Sequence, residues 1–273
     1  FTGVQLHSAH GYLLSEFLSP NVNQRTDEWG GSIENRSRLL ITTIEAIRDK
    51  VGSNFPISVK LNSSDFQKGG FTHEESIKVA RILNNTSLDL LEISGGTYEN
   101  FTALEMDSFN LKKAKTIKPQ RSTKVREAYF LKYAEAIKDV ISIPLAVTGG
   151  FRSAEGMNNA LQSGACDVIG LGRPLCSEPD IVNKLISGEK KSAILYENML
   201  EFGPWILGLN SPISLMRSNN KAAQVYWCYR QILKIADGNE VDTKLGLFKA
   251  FLDHFRDDSA NSKKYKAFWK DLD

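Results

Sequence analysis

The sequence predicts an α/β chain built on a parallel sheet, and three observations carry that expectation. Short runs rich in Val, Ile and Leu alternate with segments whose apolar residues recur at helical spacing. The short runs are apolar nearly throughout, as in strands covered on both faces by helices. The alternation continues to about residue 190 and then stops, which places a boundary between a strand-helix region, residues 1–190, and a helical extension, residues 191–273.

Five runs read as strands: Gly3–His7, Pro56–Leu61, Leu88–Ile93, Pro144–Val147 and Asp167–Leu171. Between them, Leu40, Ile44, Ile47 and Val51 form one helical stripe and Ile77, Ala80 and Leu83 a second. Phe130, Tyr133, Ile137 and Ile141 form a third in a helix resuming at Glu127, and Met157, Ala160 and Leu161 a shorter fourth. Gly30-Gly31 suits a tight turn, with Ser32 as N-cap of the following helix, while Arg25, Asp27, Glu28 and Arg36 can form a charge network. The lysine-rich segment from Glu99 to Lys124 has no clear period and reads as a surface loop. Beyond 190 the composition turns aromatic. A helix over about 213–235, a turn at Asp237-Gly238 and an amphipathic helix carrying Leu247, Phe248, Phe251, Leu252 and Phe255 are expected to pack on the first region or on another subunit of a homo-oligomer. Periodicity alone does not decide between an open doubly wound sheet and a closed (β/α)8 barrel.

Composition bounds the function. With 41% hydrophobic and 24% charged residues, the 273-residue chain reads as an ordinary globular protein, and a net charge of +2 with interspersed signs favours neither nucleic acid nor an anionic membrane as partner. No apolar run approaches the roughly 18 residues of a membrane span, and no signal peptide is visible, so a cytoplasmic setting is expected. Three cysteines, Cys166, Cys176 and Cys228, lack metal or disulfide spacing and read as buried thiols.

The most informative segment is His7-Ser-Ala-His10-Gly-Tyr12, where the first strand opens into a loop. Two imidazoles can each donate a hydrogen bond to a carbonyl or phenolate oxygen, and a nearby tyrosine hydroxyl can act as general acid. The same spacing also fits a metal half-site or two satisfied structural histidines. Lys60, inside an apolar strand, requires an anionic partner, an acidic side chain or a ligand, unless it snorkels to solvent. The strand exits Asn62–Phe71 and Ser94–Tyr98 are polar and glycine-rich and border the same rim.

The order His7-x-x-His10-Gly-Tyr12-Leu13, Phe17-Leu-Ser-Pro20 and Asn23-x-Arg-Thr-Asp-Glu-Trp-Gly-Gly-Ser-x-Glu-Asn-Arg36 resembles the old yellow enzyme family of FMN-dependent ene-reductases and NADH:flavin oxidoreductases. The resemblance implies a partial TIM (β/α)8 barrel, comprising about the last five βα units, with a C-terminal helical tail. It further implies an N-terminally truncated sequence, since the chain starts at Phe1 and a whole barrel would carry about three more units upstream. FMN is the implied cofactor, NADH or NADPH the reductant, and an enone or quinone-like small molecule the substrate. Carried over residue by residue, His7 and His10 would polarise the substrate carbonyl and Tyr12 would protonate the alpha carbon. Lys60 would stand beside the flavin's pyrimidine edge, where many relatives carry arginine. The glycine turns Val147–Arg152 and Val168–Arg173 look like the phosphate grip, with Gly150, Gly172 and Arg173 as contacts and Gly149 and Arg152 as further candidates. Two rivals stand beside this reading: an inactive or binding protein lacking flavin contacts, and a metal-dependent enzyme with His7 and His10 as ligands.

Overall fold

The computed structural model describes residues 1–96, 128 and 130–270. The expected loop Glu99–Lys124 and the expected helix start at Glu127 lie outside them. The chain forms two compact units, Phe1–Leu171 and Gly172–Asp273. The change of composition near residue 190 falls within the second.

The first unit is a five-stranded parallel sheet in sequential order: β1 (Val4–Ser8), β2 (Ile57–Asn62), β3 (Leu90–Ser94), β4 (Leu145–Thr148) and β5 (Val168–Gly170). Each crossover carries helix: α1 (Leu13–Leu18) and α2 (Ile33–Val51), then α3 (His73–Leu83), α4 (Leu131–Lys138) and α5 (Ala154–Gln162). Strands β1 to β4 lie about one residue later than the apolar pattern predicts, and β5 is one residue shorter at each end. Pro56 and Pro144 have no N–H for the ladder, and their carbonyls instead receive Val4 N–H and Leu91 N–H at 3.0 Å. At their other ends β1 to β4 close on the polar residues Ser8, Asn62, Ser94 and Thr148, which an apolar pattern does not detect.

Helices and sheet share one core. Leu40 and Ile44 of α2, Val79, Ala80 and Leu83 of α3, and Ala134 and Ile137 of α4 are buried with Val59, Leu61, Leu91, Ile93, Leu145 and Val147 of the strands. Ser32 caps α2, accepting from Asn35 N–H at 3.3 Å, and Thr72 with Glu75 forms a capping box on α3. The fourth stripe is narrower than expected, since Ala160 is buried but Leu161 is 40% exposed. The expected charge network divides. Arg25 pairs with Asp27 at the surface, whereas the buried Arg36 binds Glu75 and the carbonyls of Leu18 and Gly31, and Glu28 enters only through its carbonyl, which accepts from Arg38. The turn is built as the sequence implies: Gly31 adopts φ +80°, and a Cβ on Gly30 would stand 2.2 Å from the Arg25 carbonyl oxygen.

The second unit contains α6 (Arg173–Ser177), α7 (Ile181–Ile186), two 3-10 turns (Tyr196–Asn198 and Trp205–Leu207), α8 (Ser214–Ala236) and α9 (Leu247–Lys270). Its core gathers Ala223, Trp227, Leu245, Leu247 and Ala250, and Trp227 Nε1–H donates to the Leu245 carbonyl at 2.9 Å. Phe248, Leu252 and Phe255 of α9 are at least half exposed. Only Cys166 is a buried thiol; Cys176 and Cys228 are partly exposed. Among the described residues, no helix is long and apolar enough to cross a membrane.

Candidate active site

Parallel register aligns one polar row across the sheet: His7 on β1 stands opposite Lys60 on β2, Lys60 opposite Glu92 on β3, and Glu92 opposite Ala146 on β4. Side chains alternate along a strand, so residues in register share a face. The row lies on the opposite face from the buried Val59, Leu61, Leu91 and Ile93.

The acidic partner that the burial of Lys60 demands is Glu92, with Nζ 2.7 Å from Oε1. Glu92 also accepts from Gln5 Nε2 at 2.7 Å and from the Thr148 hydroxyl. Burial works against the Glu92 charge, but the hydrogen bonds from Lys60 and Thr148 outweigh it and hold the carboxyl below the usual carboxylate range. Thr148 reaches this position because its register partner on β5 is Gly170, where a Cβ would lie 1.7 Å from Thr148 Oγ1.

Past β1 the chain turns sharply. His10 and Gly11 both take left-handed backbone conformations, φ +62° and +83°. For histidine that conformation costs about 1 kcal/mol, and local hydrogen bonds hold it. His10 N–H donates to Asn62 Oδ1 at 3.2 Å, while the buried Asn62 amide donates to Asp65 Oδ1 at 2.8 Å and the Gly96 carbonyl at 3.0 Å. Gly11 N–H donates to Ser15 Oγ, whose hydroxyl donates to the Tyr12 carbonyl, fixing the start of α1.

The turn brings the three predicted catalytic side chains together. The His7 ring centroid lies 5.2 Å from that of His10 and 4.9 Å from that of Tyr12. His10 Nε2 and Ser94 Oγ share a hydrogen bond of 2.8 Å, which either tautomer satisfies because a hydroxyl both donates and accepts. Nδ1 is then the nitrogen left for a ligand. Tyr12 is 47% exposed. Burial, reinforced by the Lys60 charge, lowers the His7 pKa and brings His10 down to about 4, so both rings are neutral near pH 7. Such a pair can donate to or accept from a neutral oxygen without adding charge. Among the described residues, no group of three or more His, Cys, Asp or Glu is placed to hold a metal ion.

The predicted phosphate residues divide between the units, Gly149, Gly150 and Arg152 in the first and Gly172 and Arg173 in the second. Gly149 and Gly150 leave β4 with φ +143° and +82°, and the buried Arg152 donates from Nη1 to the Phe151 carbonyl at 2.7 Å. In the second unit Gly172 has open space where a Cβ would stand, and the partly exposed Arg173 lies 3.3 Å from Glu197.

Sequence reasoning missed Gln5, Glu92 and Thr148. The run read as the third strand, Leu88–Ile93, holds two acidic residues, Asp89 and Glu92, and strand register selects Glu92 as the one opposite Lys60. Asn62 and Ser94 were legible as rim residues but not as the supports of His10.

The chain is 39% identical over 196 residues to the NADH-dependent flavin oxidoreductase nadA of Aspergillus parasiticus, covering 71% of this chain and 41% of that protein. It therefore spans well under half of that relative's length. Among solved structures, 2-naphthoyl-CoA reductase in complex with 2-naphthoyl-CoA superposes with a TM-score of 0.58 at 30% identity, covering 69% of this chain and 26% of that one. The old yellow enzyme homologue from Zymomonas mobilis shares the fold, with a TM-score of 0.53 at 24% identity over 78% of this chain and 54% of its own. Residues 1–192, which include the whole polar row and the His7–His10–Tyr12 turn, match the NADH:flavin oxidoreductase / NADH oxidase family, and the chain belongs to that family.

Proposed function

We propose that this chain supplies the carbonyl-binding and proton-donating half of an FMN-dependent oxidoreductase that reduces the activated alkene of an α,β-unsaturated carbonyl compound, an enone or quinone-like acceptor, at the expense of NADH or NADPH. The observation that carries the reading is the convergence of His7, His10 and Tyr12 on one turn at the end of β1, beside the Lys60–Glu92 pair. A relative that acts on 2-naphthoyl-CoA, a conjugated thioester, supports a conjugated acyl group as the feature recognised. The five parallel strands in sequential order, joined by four crossovers that carry helix, support a partial (β/α)8 barrel.

The donor set suits a flavin. Lys60 has three ammonium protons and commits one to Glu92, leaving donors for the pyrimidine edge. Gly149 and Gly150, with no side chain to bar a close approach to the backbone, suit a phosphate. When bound, FMN supplies the hydride. The residues of this chain do the rest. His7 and His10, neutral and fixed by burial and by Ser94, hold the substrate carbonyl oxygen and stabilise the negative charge that develops on it. Tyr12, exposed beside His7, gives its hydroxyl proton to the alpha carbon.

The test is Tyr12→Phe in flavin-loaded protein, with the two half-reactions followed separately by stopped-flow absorbance. Flavin reduction by NADH keeps its parent rate, and reoxidation by an enone slows roughly a hundredfold or more, the usual worth of a positioned general acid. Equal enone turnover by parent and variant would remove Tyr12 from the role.

A further inference from the structure

The second unit contains a pair of thiols that the proposed chemistry does not use. Cys176 lies on α6 and Cys228 on α8, two helices packed against each other within the unit, and their side chains share a hydrogen bond. The residues are far apart in sequence, so their meeting is a product of the fold. Both are partly exposed, whereas Cys166, the other thiol, is buried in the first unit.

We propose that Cys176 and Cys228 form a redox-active dithiol that closes to a disulfide by exchange with a low-molecular-weight disulfide such as glutathione disulfide, tying α6 to α8. In the first step the Cys176 thiolate attacks one sulfur of the small disulfide, forming a mixed disulfide and releasing one small thiolate. In the second, Cys228 gives up its proton and attacks Cys176 Sγ, forming the protein disulfide and releasing the second small thiolate. Two protein thiols are oxidised, one small disulfide is reduced to two thiols, and the two protons end on the released thiolates.

The surroundings divide these roles. The hydrogen bond from Cys228 lowers the Cys176 thiol to about 7, and the Arg173 guanidinium one turn earlier on α6 favours the thiolate further. The same hydrogen bond and burial raise Cys228, which keeps its proton until the mixed disulfide has formed. Glu197, paired with Arg173 at 3.3 Å, adds its negative charge on the Cys228 side. Cys166, with burial lifting its thiol to about 11, is an internal control that should not react.

The experiment treats the fully reduced chain with glutathione disulfide, blocks remaining thiols with an alkylating agent, and maps the non-reduced digest by mass spectrometry. The expected result is loss of two of the three thiols, a linked Cys176–Cys228 peptide pair lacking two hydrogens, and its disappearance on treatment with dithiothreitol. Cys228→Ser should stop at a stable glutathione adduct on Cys176, and Cys176→Ser should abolish adduct and cross-link. A parent protein that keeps a stable glutathione adduct on Cys176 without the cross-link, or that is modified equally at Cys166, would overturn the proposal. None of these readouts depends on flavin.

Discussion

His10 Nε2 lies 2.8 Å from Ser94 Oγ, a bond that ties the turn after β1 to the last residue of β3 across 84 positions of sequence. It sets the angle of a ring whose backbone is already in an uncommon conformation. Removing the hydroxyl leaves the imidazole in place with one constraint fewer. Ser94→Ala is expected to lower enone turnover about fivefold in flavin-loaded protein, matching a hydrogen bond worth roughly 1 kcal/mol. Stopped-flow traces should place the loss in the oxidative half-reaction. An unchanged rate would show that His10 does not need this support.

The histidine pair also predicts how stability follows pH. Both rings are kept neutral in the fold, His10 down to about 4 against an ordinary 6.5, so the unfolded chain takes up protons first as the pH falls. Stability is therefore full above about pH 6.5 and declines from there toward pH 4. His10→Asn removes one titrating ring while suiting the left-handed backbone. Its thermal midpoint should fall less steeply than the parent's between pH 6.5 and 4.5. Parallel curves would contradict the assignment.

Gly30 and Gly31 are adjacent but restricted for different reasons. A Cβ at position 30 would run into the Arg25 backbone at 2.2 Å, whereas position 31 has open space and only an unfavourable φ of +80°. Gly31→Ala should cost about 1 kcal/mol. Gly30→Ala should cost more, roughly 2–3 kcal/mol, because backbone must move to admit it. Urea denaturation of the two variants gives the order directly, and a reversed order would refute the steric account.

Arg36 is 5% exposed and its partner Glu75 20%. Arg36→Met strands that carboxylate and two carbonyl acceptors, and is expected to destabilise the chain by roughly 3 kcal/mol. The surface pair Arg25–Asp27 serves as comparison, and Arg25→Met should leave the unfolding midpoint close to the parent's. Similar losses for both would mean that burial does not govern these charges.

The parallel sheet and most helices were legible because Leu40 and Ile44, Ala80 and Leu83, and Tyr133 and Ile137 recur at helical spacing and the strands are nearly continuous in Val, Ile and Leu. The ends were less so. Ser8, Asn62, Ser94 and Thr148 extend the ladder with polar side chains that a search for apolar runs discards. The candidate site divides in the same way. His7, His10 and Tyr12 were readable because they lie within six residues, but their supports Asn62 and Ser94 come from other strands, and only register brings them near. Lys60 announced its need for a partner, and only strand pairing identified Glu92. The thiol pair was illegible for the same reason, since nothing in the spacing of Cys176 and Cys228 brings α6 onto α8.

The alignment of His7, Lys60, Glu92 and Ala146 has one more implication. Neighbouring strands are held about 4.8 Å apart by main-chain bonding, whatever side chains they bear. The four positions therefore behave as evenly spaced sockets on a fixed rail. The main chain sets where each group stands, but Lys60 and Glu92 are one ion pair and the Lys60 charge also acts on His7, so an exchange in one socket changes the electrostatics of its neighbours while the scaffold stays in place.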